Sequence, residues 1–187
     1  EVTSKGSYRV IGTTAGSVGL TLTVKGLSGG HSGMDIHKGK GNANKIMNRI
    51  LWGAQSVVPF SVSTIHGGSL RNAIPRESKT TLAINPSDLP AFMSYVEEVS
   101  VDLKNEFRTT DSDLVIIMEE SKANANAMHA DDQTSFLNAM YACPMGIYRM
   151  SPDMEDLVQT SNNIARVELE NGTHVVQCLT RGSVDSE

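Results

Sequence analysis

Two hydrophobic periodicities alternate along this chain, and their order limits the folds that it can adopt. Apolar residues recur at every second position in strand-like segments and at every third or fourth position in helical segments. The strand-like segments are 18–24, 56–65, 79–84 and 114–118, and the helical segments are about 42–53 and 87–107. The resulting order, β-α-β-β-α-β, predicts a ferredoxin-like antiparallel sheet with both helices on one face. The fold class is therefore predicted to be α+β.

Local signals predict where these segments begin and end. Asn42 or Asn44 opens the first helix, and Ser87 is a plausible N-cap for the second helix. The segment 70–75 is expected to be extended, and a turn at 75–77 is expected to join the second and third strands as a hairpin. Residues 114–118 are expected to form a buried strand.

The remainder of the chain predicts a partial repeat of the same unit. A polar linker over 121–130 leads to a short helix capped by Asp131 or Asp132. Strands at 158–169 and 174–180 follow, joined by an Asn-Gly turn that is a strong hairpin signal. We divide the chain into a linker over 1–17, a first unit over 18–120 and a second, incomplete unit over 121–187.

Composition excludes some classes of partner. The net charge is −5, and the Lys and Arg residues are scattered, which argues against nucleic acid or an anionic membrane as a partner. No apolar run approaches the ~20 residues that a membrane span needs. The cysteines, Cys143 and Cys178, lie far apart and are interpreted as two reduced, buried thiols of a cytosolic protein. The chain lacks an initial Met, so we expect it to be part of a longer protein.

The glycine-rich segment 29–33 places His31 on a loop that leaves the first strand. Such a histidine is usually an exposed loop residue. Its glycine neighbours would also let the loop lie against another surface, where the imidazole could donate a hydrogen bond to an anion or a developing oxyanion. A second unusual segment, 67–77, is either a glycine-bulged strand ending in a proline turn or a binding segment. In the binding interpretation Asn72 is a donor and acceptor, and Arg71 or Arg76 is a carboxylate clamp.

Metal ligands are sparse. His31, Asp35 and His37 would share one face if this segment were a regular strand, but its glycines disfavour a strand. A hydrolytic metal site also needs more acidic ligands than these. The triplet 129–131 has the H-x-D spacing used in two-zinc peptidases, but no apolar strand precedes it, so a helix cap is the preferred interpretation. We predict that this chain binds no metal.

Four blocks of sequence resemble the aminoacyl-histidine dipeptidases, bacterial relatives of carnosinase among the co-catalytic two-zinc peptidases. The first block is Gly29-Gly30-His31-Ser32-Gly33 with Asp35-Ile36-His37 and Gly41-Asn42-Ala43-Asn44-Lys45. The second is Leu70-Arg71-Asn72-Ala73-Ile74-Pro75-Arg76-Glu77. The others are Thr160-Ser161-Asn162, and Cys178-Leu179-Thr180-Arg181 with Asp185-Ser186. The first two blocks, taken together, are specific for this family. The stretch before Val18 matches the family poorly.

The resemblance implies a role for this chain within a larger enzyme. Members of the family hold two zinc ions in a catalytic domain, whose motifs are absent here, and carry an inserted lid that mediates dimerisation. A histidine in the position of His31 stabilises the tetrahedral intermediate, often in the other subunit, and a residue matching Asn72 contacts substrate. Some members of the family carry an arginine ten residues after the proline that matches Pro75. This chain has Asn85 at that position, so the resemblance assigns no role to Asn85.

We therefore expect the lid and dimerisation domain of a cytoplasmic two-zinc dipeptidase, with His31 as a catalytic residue and Asn72 and Arg71 binding substrate. The expected partners are its own catalytic domain, a homodimer partner and a dipeptide. The chain alone is expected to be inactive. The alternatives are a free-standing ferredoxin-like module that binds a small ligand, and a pure protein-interaction domain.

Overall fold

The computed structural model describes residues 1–185 and contains twelve strands and three α-helices in that part of the chain. The strands are β1 Val2–Ser7, β2 Val10–Gly12, β3 Val18–Lys25, β4 Gly30–His31, β5 Phe60–Gly67, β6 Ala73–Ile74, β7 Ser78–Ile84, β8 Val115–Lys122, β9 Asn126–Met128, β10 Gly146–Met150, β11 Val158–Glu170 and β12 Thr173–Gly182. The helices are α1 Ala43–Ala54, α2 Leu89–Glu106 and α3 Ala130–Ala142. Ser186, in the last matching block, lies outside the described residues.

One large antiparallel sheet organises the molecule. Its strand order is β1-β12-β11-β5-β7-β3-β8, and β10 also pairs with β11. Within it, the order β5-β7-β3-β8 is the arrangement of a ferredoxin-like unit, with the first strand of the unit between the third and the fourth. The predicted α+β fold class is confirmed.

Helix α1 lies at the centre of the helical layer, where it contacts both other helices and the strands β3, β7 and β11. Helix α2 also contacts β8, and α3 contacts β5. Helix α1 begins because the Asn42 side chain accepts a hydrogen bond from the Lys45 backbone N–H at 3.1 Å, so Asn42 is the N-cap. Its apolar stripe is at most 1% exposed and comprises Ile46, Met47, Ile50 and Leu51. Truncating one such side chain to alanine typically costs about 2–5 kcal/mol. In residues 1–185, every helix is too short or too polar to cross a lipid bilayer.

Two predicted boundaries are wrong. Ser87 does not cap α2: Asp88 precedes the helix, without a side-chain capping bond, and a proline lies in the first turn. The segment 114–118 is not a fully buried strand, because within residues 1–185 β8 pairs only with β3 and forms an edge of the sheet. Its alternate residues Ile116 and Met118 pack on the core, whereas Val115 is 36% exposed.

Strands also occupy segments that were expected to be irregular. The segment 1–17 contains β1, which extends the main sheet beside β12, and β2, which pairs with β9. The expected linker 121–130 contains the end of β8 and all of β9. Strand β1 carries few apolar residues, and β2 and β9 are only three residues long, so pairing with distant strands is what reveals them. The division of the chain at residue 120 stays a prediction, and one sheet includes strands from both sides of it.

The second half otherwise follows its local signals. Asn171 and Gly172 have φ values of 50° and 82° and form the predicted tight turn between β11 and β12. The N-cap of α3 is His129 rather than Asp131 or Asp132, since its Nδ1 accepts from the Asp131 N–H at 3.3 Å. The H-x-D triplet is thus a helix cap in this structure.

Candidate functional site

Two unusual segments of the sequence meet in a short ladder outside the main sheet. Strand β4 pairs with β6, so that His31 is opposite Ala73, and the Ser32 N–H donates to the Asn72 carbonyl at 2.8 Å. Strand β6 therefore leaves the predicted β5–β7 hairpin, whose connection is 68–77 rather than a tight turn at 75–77. The ladder brings His31 and Asn72 into one region.

A tight turn fixes the imidazole of His31. Nδ1 accepts hydrogen bonds from the backbone N–H groups of Gly33 and Met34, both at 3.2 Å. The His31 N–H donates to Asp35 Oδ2 at 2.7 Å, and the Lys38 ammonium, together with this N–H, lowers the pKa of Asp35 to about 2. Because Nδ1 is an acceptor, the proton of a neutral ring resides on Nε2. In residues 1–185 this Nε2 has no partner, so the turn presents one oriented donor.

Glycine is required where this turn meets its surroundings. A Cβ on Gly30 would lie 2.6 Å from Asp35 Oδ2, so a side chain there would displace the carboxylate that holds the His31 N–H. A Cβ on Gly33 would lie 3.0 Å from Nε of Arg181 and 3.3 Å from Cε1 of His31. The same contact shows that the guanidinium of Arg181 lies against the turn that orients the imidazole.

A buried carboxylate joins the two ends of the loop that carries His31. Asp111 is 3% exposed and accepts hydrogen bonds from the N–H and the hydroxyl of Ser28 and from the Gly41 N–H, all at 2.8 Å. Burial raises the pKa of this carboxyl, but the hydrogen bonds from Gly41, Ser28 and Thr110 outweigh burial and lower the pKa below its usual value. Asp111 thus closes the loop as an anion.

Replacing Asp111 with asparagine is expected to lower the free energy of unfolding at about pH 7 by about 1–3 kcal/mol, since an amide places N–H groups where donors need an acceptor. Because the folded-state pKa is lowered, the carboxylate contributes its stability above the unfolded pKa of about 4, and this contribution is lost as pH falls through the folded value. Denaturant titrations between about pH 7 and pH 2 should show the difference between wild type and Asp111→Asn shrinking with acid. The exposed Asp113→Asn is the control. Equal stability of wild type and Asp111→Asn at neutral pH contradicts the assignment.

An asparagine network holds β6 from the opposite side. Asn163, on β11, is fully buried; its amide donates to the Ala73 carbonyl at 2.8 Å, and its oxygen accepts from Asn42 Nδ2 at 3.1 Å. Asn42 also donates to the Ile164 carbonyl at 3.0 Å. The N-cap of α1 is thereby connected to the strand next to Asn72. Asparagine is depleted in strands, so the Asn-Asn pair in β11 was the available sequence signal for this network.

The other predicted substrate-binding residues differ in their surroundings. Asn72 is exposed, and in the described part of the chain its side chain has no hydrogen-bond partner. Arg71 forms an ion pair with Glu1, so its guanidinium is engaged near β1. The substrate-binding role of Arg71 stays a prediction.

Sequence reasoning missed Arg181 as a candidate. It lies near the end of β12, is exposed and adjoins the His31 turn at Gly33. Within residues 1–185 its guanidinium has neither an ion pair nor a hydrogen bond. The only feature of the sequence that pointed to Arg181 was its position in the last of the four blocks that resemble the aminoacyl-histidine dipeptidases. An unpaired guanidinium beside an oriented imidazole donor and a free amide suits a small anionic or carboxylate-bearing ligand.

The donor set does not fit a zinc ion. Among the described residues, no three His, Cys, Asp or Glu side chains gather where they could hold a metal ion. His37 is exposed, and the carboxylate of Asp35 is already bonded to Lys38 and the His31 N–H.

Comparison with known proteins shows what this chain and its fold are similar to. Residues 22–111 match the family described as the peptidase dimerisation domain. The chain is 35% identical over 172 residues to the cytosol non-specific dipeptidase of Escherichia coli (strain K12), a match covering 92% of the chain and 36% of that protein. The crystal structure of aminoacylhistidine dipeptidase from Vibrio alginolyticus superposes with a TM-score of 0.90 at 39% identity, covering 98% of the chain and 38% of that structure.

The resemblance to the aminoacyl-histidine dipeptidases is therefore confirmed. The chain spans well under half the length of both relatives, 36% and 38%.

Proposed function

We propose that this chain is the lid and dimerisation domain of a cytoplasmic two-zinc dipeptidase, and that it supplies His31, Asn72 and Arg181 to the active site. The observation that carries the proposal is the orientation of His31, whose Nδ1 is held by two backbone N–H groups while Nε2 has no partner in residues 1–185. We assign the zinc ions, and the attack on the peptide bond, to the part of the protein outside this chain.

The three side chains have complementary chemical capacities. The Nε2–H of His31 donates to the oxygen of the scissile carbonyl, where negative charge develops in the transition state. The turn fixes the ring beforehand, so little reorganisation is needed as the reaction proceeds. The Asn72 amide donates to or accepts from the peptide, and Arg181 binds the C-terminal carboxylate of a short substrate through two parallel N–H···O bonds. A free carboxylate close to the scissile bond is characteristic of dipeptides.

The central test compares the full-length protein with the isolated chain. We expect the full-length protein to hydrolyse unblocked dipeptides, Xaa-His among them, and to lose this activity when a chelator removes its metal. We expect no turnover from residues 1–187 alone. Failure of the metal-loaded full-length protein to cleave any dipeptide contradicts the proposal. So does turnover by the isolated chain that His31→Ala abolishes, because the substitution then excludes a contaminating peptidase.

The dimer predicts complementation between subunits. If His31 serves the active site of its partner, His31→Ala chains mixed with chains inactivated at a metal ligand form dimers with one complete site. Random pairing makes half of the dimers mixed, so activity should recover to roughly a quarter of the wild-type value. The measurement is dipeptide hydrolysis after the two inactive proteins are dissociated and reassociated together. The two proteins kept apart are the control. Mixed dimers without activity would place His31 in its own subunit's site.

A further inference from the structure

Two cysteines that are distant in sequence adjoin each other in the fold. Cys143 follows the last turn of α3, and Cys178 lies in β12, cross-strand from Ile164. Asn162 connects the two positions: its Nδ2 is 3.8 Å from Cys143 Sγ, and its Oδ1 accepts a hydrogen bond from the hydroxyl of Thr180, which is two residues after Cys178 on the same face of β12. Both thiols are free and only half-buried, which differs from the expectation of two buried thiols.

The surroundings make the two thiols chemically unequal. The hydrogen bond from Cys178 is the main influence that lowers the pKa of Cys143, and the Lys45 ammonium and Asn162 lower it further against the effect of burial. The same hydrogen bond and burial raise the pKa of Cys178. The pair therefore loses its first proton readily and its second with difficulty. A readily formed thiolate beside a second thiol is the arrangement of an attacking and a resolving cysteine.

The position of Lys45 supports the reactive role of Cys143. Its Nζ donates to the carbonyl oxygens of Met140, Tyr141 and Cys143 at 3.0, 2.5 and 2.8 Å, so a positive charge is fixed at the carboxyl end of α3. This charge lies next to the cysteine that follows the helix, where it favours the thiolate.

We propose that Cys143 and Cys178 form a reversible dithiol–disulfide site that is oxidised by low-molecular-weight disulfides of the glutathione class. The Cys143 thiolate attacks one sulfur of the small disulfide, forms a mixed disulfide and releases one small thiolate. Cys178 then loses its proton to solvent and attacks Cys143 Sγ, which displaces the second small thiolate. The two protein thiols are oxidised by two electrons, and one small disulfide is reduced to two thiols.

The closed disulfide would link the end of α3 to β12 beside the candidate functional site. Cys178 is three residues before Arg181 on the same strand. Asn162, which contacts Cys143 Sγ, accepts a hydrogen bond at 2.9 Å from the hydroxyl of Thr180, the residue before Arg181. Oxidation would therefore act on the strand that carries Arg181. The formation of the disulfide does not depend on the proposed dipeptidase role.

The test uses the full-length protein equilibrated with defined mixtures of reduced and oxidised glutathione, followed by alkylation and mass spectrometry of the peptides that contain residues 143 and 178. We expect the wild type to lose both alkylation sites together and to yield a peptide cross-link between residues 143 and 178 that dithiothreitol removes. Cys178→Ser should instead retain a glutathione adduct on Cys143, because the resolving thiol is missing. Cys143→Ser should react at least about tenfold more slowly, because the more acidic thiol is missing.

The outcomes separate the proposal from its alternatives. A cross-link within one wild-type chain, with the adduct in Cys178→Ser, supports the proposal. The proposal is overturned if the wild-type thiols stay alkylatable under conditions that modify Cys178→Ser. It is also overturned by a stable glutathione adduct on wild-type Cys143, or by a disulfide that forms only between chains. If a serine variant fails to fold by circular dichroism, the wild-type peptide map alone decides between these outcomes.

Discussion

Replacing His31 with alanine in the full-length protein is expected to lower kcat by about 10²–10³-fold, the typical effect of removing one oxyanion donor. The imidazole Nε2–H interacts with charge that exists only in the transition state, so its loss should affect kcat more than KM. Zinc content should be unchanged, because His31 belongs to no cluster of metal-binding side chains in the described residues. Steady-state kinetics on an unblocked dipeptide, with metal analysis of the same samples, measures both.

A second variant separates the lost donor from a loosened turn. Alanine also removes the acceptor for the N–H groups of Gly33 and Met34. In His31→Asn, the side-chain oxygen can still accept from backbone N–H groups two or three residues later, but no donor extends to the position of Nε2. Both variants should therefore lose kcat to a similar degree. His37→Ala, at an exposed position in the same loop, should keep wild-type kcat. Full kcat in His31→Asn would falsify the oxyanion role.

The predictable part of this structure was encoded in local patterns. The alternation of apolar residues in 18–24 and the apolar stripe of α1 each require burial of one face, and a ferredoxin-like sheet provides it. The Asn-Gly turn fixed the β11–β12 hairpin because both of its central residues have positive φ. These features depend on residues close in sequence, so the chain alone was sufficient to find them.

The unpredicted features depend on pairing between distant residues. The ladder of β4 and β6 is two residues long in each strand, and it is held by contacts with distant residues such as Asn163 of β11. Asp111 is a lone aspartate after α2, and its closure of the His31 loop appears only once Ser28 and Gly41 are adjacent. No periodicity predicts a polar group that is buried because its partners come from elsewhere in the chain.

The candidate arginines show the same limit. Arg71 and Arg76 were proposed as clamps because they flank Asn72 in sequence. The structure pairs Arg71 with Glu1 and packs the Arg76 side chain against Gly29, where an added Cβ would lie 2.6 Å from its Cγ. Arg181, far away in sequence, adjoins the turn instead. Arg181 and Gly33 are far apart along the chain, so sequence spacing could not reveal their contact.

Replacing Arg181 with alanine in the full-length protein is expected to raise KM for unblocked dipeptides by about 10–10²-fold, the equivalent of one charge-assisted hydrogen-bonded contact of about 1.5–3 kcal/mol. The substrate carboxylate is equally negative in the ground state and in the transition state, so kcat should change far less than KM. Arg181→Lys should recover part of the loss, because an ammonium keeps the charge but not the planar pair of donors. The exposed Arg108→Ala is the matched control.

The decisive comparison uses the same dipeptide with an amide in place of its C-terminal carboxylate. If Arg181 binds that carboxylate, the amide should weaken binding to the wild type and to Arg108→Ala but have little further effect on Arg181→Ala. The two changes then remove the same interaction, and their effects on kcat/KM are strongly non-additive. Additive effects would mean that Arg181 and the carboxylate do not interact. In that case the Arg181 guanidinium stabilises the turn that holds His31 and does not bind the substrate.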